Sequence, residues 1–140
     1  MSSLQSQKLA YVAALSSLAQ RPAEQWPDAL SDLYHADVQW HGPHPINDHR
    51  GSRAVVKAFW EPFLNALPDV ERRDDILIAG TFKDGSWVGT TGYYTGTFVN
   101  DWLGIPATGG VLNVHFGEFS RLEEGRVCEV YLILDILDVI

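Results

Sequence analysis

Three ionisable side chains near the end of the chain could carry out acid–base chemistry: His115, Glu129 and Asp135. A cofactor-free aldol closure or isomerisation needs a base that removes a proton next to a carbonyl and a donor that neutralises the oxyanion. Both work best in an apolar pocket, where burial shifts the pKa of a carboxyl or imidazole group. We interpret the three residues as candidate catalytic groups, with Glu129 and Asp135 as alternatives for the acid/base.

Side-chain alternation along the strands that carry these residues predicts their neighbours. Asn113 shares a face with His115, and Tyr131 shares a face with Glu129. The other face of the last strand is wholly apolar and must pack on helices or on a second subunit; it holds Cys128, Val130, Leu132 and Leu134. We expect the set with carboxylates to form a pocket wall, with Asn113 and Tyr131 as substrate contacts. The alternatives are a strand histidine bonded to a carbonyl, an exposed Glu129 after a turn, and a helix-capping Asp135.

Bulky and polar residues upstream add further candidates for substrate binding. Trp40 and His41 are adjacent on a short predicted strand, so at most one of them lines the pocket. Trp60 and Phe63 lie on the apolar face of a predicted helix and line either the pocket or the plain core. A loose cluster of His41, His44, Asp48 and His49 fits no standard ligand spacing, so we expect no metal and no cofactor.

The elements that must position these residues are helices followed by strands. Helical spacing predicts helices over 4–20, 23–35 and 51–67, the last with a kink or break near Pro62. A short strand is expected over 38–41, and long strands over 71–81, 86–99, 111–121 and 126–135. This order predicts an α+β fold: a cone-shaped α+β barrel whose curved antiparallel sheet is wrapped by about three N-terminal helices.

Length and charge limit the function classes. The 140 residues suit a single domain over 1–140. A formal net charge of -8 makes nucleic acid and anionic membrane surfaces poor partners, so we expect neither. The single Cys128 excludes an internal disulfide, and no secretion signal is evident, so we expect a cytoplasmic protein.

Two runs are similar to a known family: residues 91–98, Thr-Gly-Tyr-Tyr-Thr-Gly-Thr-Phe, and residues 103–109, Leu-Gly-Ile-Pro-Ala-Thr-Gly. They resemble the SnoaL-like polyketide cyclases of the nuclear transport factor 2-like superfamily, which also holds the ketosteroid isomerases. The resemblance spans roughly residues 8–138. It implies a cone-shaped domain, usually a homodimer packed through the sheets. It also implies a cyclase that closes a ring by aldol condensation without a cofactor, with Asn113, His115 and Glu129 at positions that match the cyclase site.

The chain departs from this family at three positions. Tyr94 replaces a histidine of the first run, and Gly42 and Gly117 stand near the isomerase's two acids. These departures argue against steroid isomerisation. The leading hypothesis is an enzyme that performs cyclase-type aldol closure or isomerisation on an apolar, carbonyl-containing small molecule. The alternatives are a non-catalytic protein that binds a hydrophobic small molecule, and a dimeric interaction module.

Overall fold

A computed structural model describes residues 3–140. Helix α1 spans Ser3–Ala19, and a 3₁₀ turn at Ala23–Gln25 leads into α2, Trp26–Leu33. The third helix, α3, covers residues 52–66 in three segments: Ser52–Val55, a π-helical turn Val56–Trp60, and Glu61–Ala66. No helix in residues 3–140 is long and apolar enough to cross a membrane.

Pro62 explains the irregular turn in α3. Its ring nitrogen has no hydrogen to donate to the carbonyl of Ala58 four residues earlier, so α-helical bonding is interrupted there. The chain continues through the π-helical turn and does not end the helix at this point. The irregularity expected near Pro62 is therefore accommodated inside one helix.

Six strands form one sheet in the order β2-β1-β6-β5-β4-β3. Their bounds are β1 Tyr34–His41, β2 Asp48–Arg50, β3 Glu71–Phe82, β4 Gly85–Thr97, β5 Val111–Glu123 and β6 Arg126–Leu134. All pairs are antiparallel except β1 with β6, so the sheet is mixed, not wholly antiparallel. The α+β fold with three helices on a curved, unclosed sheet is confirmed, and a 3₁₀ turn, Ile136–Val139, follows β6.

The helices cover one face of the sheet, here called the inner face. On β5 the buried side chains are every second residue: Val114, Phe116, Glu118, Ser120 and Leu122. On β6 the buried side chains include Val130, Leu132 and Leu134. They belong to the apolar face that was expected to pack on helices or on a second subunit. Between these buried positions, from 115 to 121 on β5 and from 129 to 133 on β6, the alternate side chains therefore lie on the outer face of the sheet.

Candidate functional site

A polar cluster lies on the inner face, beneath α1. Strand register brings it together: Arg72 of β3 pairs with Tyr94 of β4, and Thr90 of β4 pairs with Glu118 of β5. The side chains of Arg72 and Glu118 are only 1% and 5% exposed. Charged groups this deep need partners, because an unpaired buried charge is strongly unfavourable.

Arg72 is the centre of the cluster. Its Nη2 lies 2.9 Å from Glu118 Oε1 and 3.0 Å from Asp74 Oδ1, and its Nη1 donates to the Tyr94 hydroxyl at 3.1 Å. Asp74 also accepts from Arg72 Nε and, at 2.8 Å, from Thr90 Oγ1. One guanidinium therefore holds two carboxylates and a phenol in fixed positions.

Tyr11 closes the cluster from the helix side. Its hydroxyl donates to Glu118 Oε1 at 3.2 Å and lies 3.1 Å from Ser120 Oγ. Burial raises the pKa of Tyr11 well above its usual value, and the neighbouring Glu118 carboxylate raises it further. Burial also raises the pKa of Tyr94, although Arg72 opposes that shift. Both phenols therefore stay protonated and can act as hydrogen-bond donors.

The Arg72 guanidinium remains charged in this environment. Burial alone would lower its pKa, but Tyr94, Glu118 and Asp74 outweigh burial, and the net pKa is raised. The arrangement is therefore a carboxylate, Glu118, beside a permanent cation and two phenolic donors, at the base of an otherwise apolar interior.

Aromatic rings fill the interior around the cluster. Trp60 and Phe63, which we expected to contact substrate, are fully buried, and their rings lie 6.2 Å and 5.1 Å from that of Tyr94. Trp60 Nε1 donates to the Tyr34 hydroxyl at 3.0 Å. Trp40 is also fully buried, 5.3 Å from Phe59, but its Nε1 has no hydrogen-bond partner among residues 3–140.

The expected pocket wall on β5 and β6 is wrong in its orientation, because its residues lie on the outer face. His115 is 69% exposed at its side chain and pairs with Asp138, Nδ1 to Oδ2 at 2.8 Å. Asn113 is exposed and accepts from the Thr95 hydroxyl at 2.8 Å. Asp135 is exposed and caps the final 3₁₀ turn by accepting from the Leu137 amide. The apolar alternate set took the helix-covered face, which left the polar set outside.

Three of the expected site residues do meet, on the outer face. His41 pairs with Tyr131 across β1 and β6, and their rings stack at 4.3 Å. His41 Nε2 lies 3.1 Å from Glu129 Oε2, and His41 Nδ1 lies 3.3 Å from Asp48 Oδ1. Glu129 and Tyr131 line an open groove of about 680 Å³ on this face. Residues 3–140 contain no group of three or more histidine, cysteine, aspartate or glutamate side chains that could hold a metal ion.

Sequence reasoning missed Arg72, Asp74 and Glu118. The adjacent Asp74 and Asp75 resemble solvated charge, yet Asp74 is only 18% exposed at its side chain. The interior position of Glu118 could have been inferred from the sequence. Glu118 is three residues from His115 on the same strand, so it points to the opposite face, and it pairs with Leu132 of the apolar face. A carboxylate in phase with a helix-covered apolar face is a candidate interior group.

Comparisons with known proteins agree with this architecture. Two solved structures are similar in fold: a SnoaL-like protein from Jannaschia sp. CCS1 and IdmH from Streptomyces antibioticus. The first has a TM-score of 0.78 at 19% identity, over 99% of this chain and 92% of that one. The second has a TM-score of 0.73 at 19% identity, over 91% of this chain and 93% of that one.

A third similar fold is an NTF2-like protein from Burkholderia thailandensis, with a TM-score of 0.66 at 17% identity over 91% of this chain and 90% of that one. A comparison with curated proteins found no match. The sequence model of the SnoaL-like polyketide cyclases matches residues 11–140, nearly the whole chain. The chain therefore belongs to the SnoaL-like polyketide cyclase family.

Proposed function

We propose that this chain is a cofactor-free small-molecule enzyme that performs acid–base chemistry on an apolar carbonyl compound inside the cone. The observation that carries the proposal is the buried Glu118 carboxylate, which is held beside Arg72 and Tyr11 in an aromatic interior. A carboxylate, a fixed cation and phenolic donors are the groups that an enolate-forming reaction needs. The catalytic role thus moves from His115, Glu129 and Asp135 to the inner face.

In this proposal Glu118 removes a proton from the carbon next to the substrate carbonyl, so that the C–H electron pair becomes the enolate. Arg72 and the Tyr94 hydroxyl, already 3.1 Å apart, donate to the developing oxyanion. The enolate carbon then attacks a second carbonyl of the same molecule, and the proton held by Glu118 passes to the new alkoxide. In an isomerisation, the proton returns to a different carbon.

Substrate entry requires that α1 move, because Tyr11 covers Glu118 and aromatic rings fill the space around it. In the described part of α1 only Tyr11, Leu15 and Leu18 are buried, so few side chains anchor this helix. The exposed edge of the cluster is Asp74, on β3, the strand beneath α1. Displacement of Tyr11 would open the cluster at this edge.

A second candidate function is ligand binding without chemistry, which the indole of Trp40 favours. A buried donor without a partner costs free energy until an acceptor reaches it. A ligand carbonyl is such an acceptor. Trp40 pairs with Val130 of β6, which pairs with Ser120 of β5, so Trp40 lies two strands away from the polar cluster. A ligand about 10 Å long could therefore contact both Trp40 and the polar cluster.

Deuterium exchange into 2-tetralone tests the catalytic proposal, because exchange at the carbon next to the carbonyl reports proton removal directly. We expect the wild type to accelerate exchange, and Glu118→Gln to lower the enzyme-dependent rate by about 10²-fold or more. Glu61→Gln, an exposed carboxylate on α3, is the matched control and should retain the wild-type rate. If Glu118→Gln does not fold, Tyr94→Phe provides a second test and should slow exchange about 10-fold.

Wild-type acceleration that Glu118→Gln leaves unchanged would refute the assignment of Glu118. Binding of 2-tetralone without any acceleration would favour the binding function over the enzymatic one. Quenching of the intrinsic tryptophan fluorescence measures that binding independently of exchange.

We also propose that a second copy of the chain packs on the part of the outer face that carries Ile76, Ile78 and Ile133, and leaves the hairpin end of that face open. Ile76, Ile78 and Ile133 are 64%, 61% and 64% exposed on neighbouring register rows of the sheet, an unusual amount of apolar surface for an isolated domain. Sedimentation velocity should show a dimer for the wild type and a monomer for Ile78→Asp. Leu137→Asp, which changes a still more exposed apolar residue after β6, should stay dimeric. A monomeric wild type would refute the interface.

A further inference from the structure

The groove on the outer face lies at the hairpin end of the sheet, apart from the interior cluster. Strand register builds it: Tyr131 pairs with Phe119, and in the next row Glu129 pairs with Arg121, which pairs with Trp87. The aromatic rings of Trp87 and Tyr131 are 6.0 Å apart and inclined by 37°, so they form an open wedge. The volume of about 680 Å³ is that of a small-molecule site.

Glu129 forms the polar end of the groove and is only 17% exposed at its side chain. Burial opposes its ionisation, but hydrogen bonds from His41, Arg121 and Tyr131 outweigh burial and lower its pKa. The three donors lie at 3.1, 3.4 and 3.3 Å, which is long for bonds to a carboxylate. The two oxygens therefore keep capacity to accept from a closer donor.

The charges around the groove favour a cationic occupant. Its lining contains three carboxylates, Asp84, Glu123 and Glu129, against two cations, Lys83 and Arg121. Arg121 is already engaged, because its Nη1 lies 3.0 Å from Glu123 and its Nε lies 3.4 Å from Glu129. One negative charge is therefore left over, in a chain whose net charge is -8.

Aromatic faces strengthen that preference. Indole and phenol rings attract cations to their faces, and tryptophan does so best. At the rim of the same groove, Lys83 Nζ already lies 5.4 Å from the centroid of the Phe82 ring. An aromatic wedge with a carboxylate at one end matches a flat ring that bears an ammonium group.

We propose that this groove is a second ligand site, distinct from the interior, and that it binds an aromatic amine. The ammonium group donates to Glu129, and the aromatic ring lies across the open side of the wedge that Trp87 and Tyr131 form. The site does not depend on the acid–base chemistry proposed for the interior. It gives a role to Glu129, His41 and Tyr131, which the tertiary structure brings together on the outer face.

Isothermal titration with three ligands that share an indole ring tests the proposal: tryptamine, 3-ethylindole and indole-3-propionate. At pH 7 we expect tryptamine to bind about 10-fold more tightly than the neutral 3-ethylindole, and indole-3-propionate to bind most weakly. Glu129→Gln should abolish the preference for tryptamine. Glu124→Gln, an exposed carboxylate in the adjacent turn that does not line the groove, should leave it unchanged. Trp87→Leu should weaken all three ligands and does not rely on Glu129.

Equal affinity for the three ligands would refute the proposal that the groove prefers a cationic ligand. Tryptamine binding that survives Glu129→Gln would overturn the assigned position. If the wild type bound none of the ligands while the monomeric Ile78→Asp variant bound the neutral 3-ethylindole as well as tryptamine, a second copy would occupy the groove in solution, and the ligand proposal would be wrong. Loss of 2-tetralone exchange in Glu118→Gln, with tryptamine binding intact, would confirm that the two sites are independent.

Discussion

Replacement of Trp40 by phenylalanine should cost less stability than the same change at Trp60. Both side chains are fully buried, and both substitutions remove the same atoms. The difference lies in the indole N–H: that of Trp60 donates to Tyr34 at 3.0 Å, whereas that of Trp40 has no partner in residues 3–140. Trp60→Phe breaks a hydrogen bond, and Trp40→Phe removes a donor whose burial is unfavourable.

The magnitude follows from these two terms. A typical hydrogen bond contributes about 1 kcal/mol net, and an unsatisfied buried donor costs roughly 1–3 kcal/mol. Trp60→Phe should therefore lower the free energy of unfolding by about 2–4 kcal/mol more than Trp40→Phe does. For a domain of this size each kcal/mol corresponds to roughly 3–4 °C, so the melting temperatures should differ by roughly 6–16 °C.

The rings around Trp60 also differ from those around Trp40, so a thermodynamic cycle isolates the hydrogen bond. Tyr34→Phe removes the acceptor, so the Trp60 N–H becomes a buried donor without a partner, as the Trp40 N–H is. On that background Trp60→Phe should cost about 2–4 kcal/mol less than in the wild type. Urea unfolding followed by circular dichroism measures all four members of the cycle.

Equal costs for Trp40→Phe and Trp60→Phe, together with the expected coupling in the cycle, would refute the reasoning. That result would mean that Trp40 Nε1 is already satisfied in solution, by a water molecule, and it would remove the support for a ligand acceptor at this position. Trp26→Phe is a further control, because Trp26 Nε1 donates to the Arg21 carbonyl at 3.1 Å.

Three further predictions concern the sheet. Arg72→Met should lower the unfolding free energy by about 3–5 kcal/mol in urea, because two carboxylates lose their shared cation. Gly92→Ala should lower the melting temperature by at least 10 °C, because a Cβ there would lie 1.8 Å from the Arg73 carbonyl oxygen. Gly117→Ala is the control: a Cβ there would lie 4.0 Å from its nearest neighbour, so the substitution should have little effect. Hydrogen bonds from Thr97 lower the pKa of Asp69 in the folded chain. The stability that Asp69 contributes is therefore complete above its pKa in the unfolded chain, about 3.9, and is lost as the pH falls through its pKa in the folded chain. Asp69→Asn should therefore flatten the loss of stability between about pH 5 and pH 2 in urea titrations.

Much of the fold could be predicted because local patterns determine its elements. The helices at α1, α2 and α3 follow from apolar spacing, and the two hairpin turns follow from the Asp84-Gly85 and Glu124-Gly125 dipeptides between strand patterns. The parallel pairing of β1 with β6 could not be predicted in this way. It joins residues about 90 positions apart, and no local pattern specifies such a partner.

The candidate site was harder to predict because alternation defines two sets of residues but does not say which set faces inward. His115 and Glu118 lie on the same strand in opposite phase, and both are ionisable. The sequence prediction makes the set with carboxylates on β6 a pocket wall. Burial favours the opposite choice, because an apolar face covered by helices is far more stable than a charged one.

The amino-acid sequence by itself determined the α+β architecture, the two alternating sets on each strand and the family to which the chain belongs. Only the tertiary structure decided which residues meet on each face: Glu118 meets Arg72 inside, and His115 meets Asp138 outside. The physical reason is that the alternation along one strand assigns its side chains to two faces but does not specify which strand lies beside it. Those neighbours are determined by contacts between residues far apart in the chain.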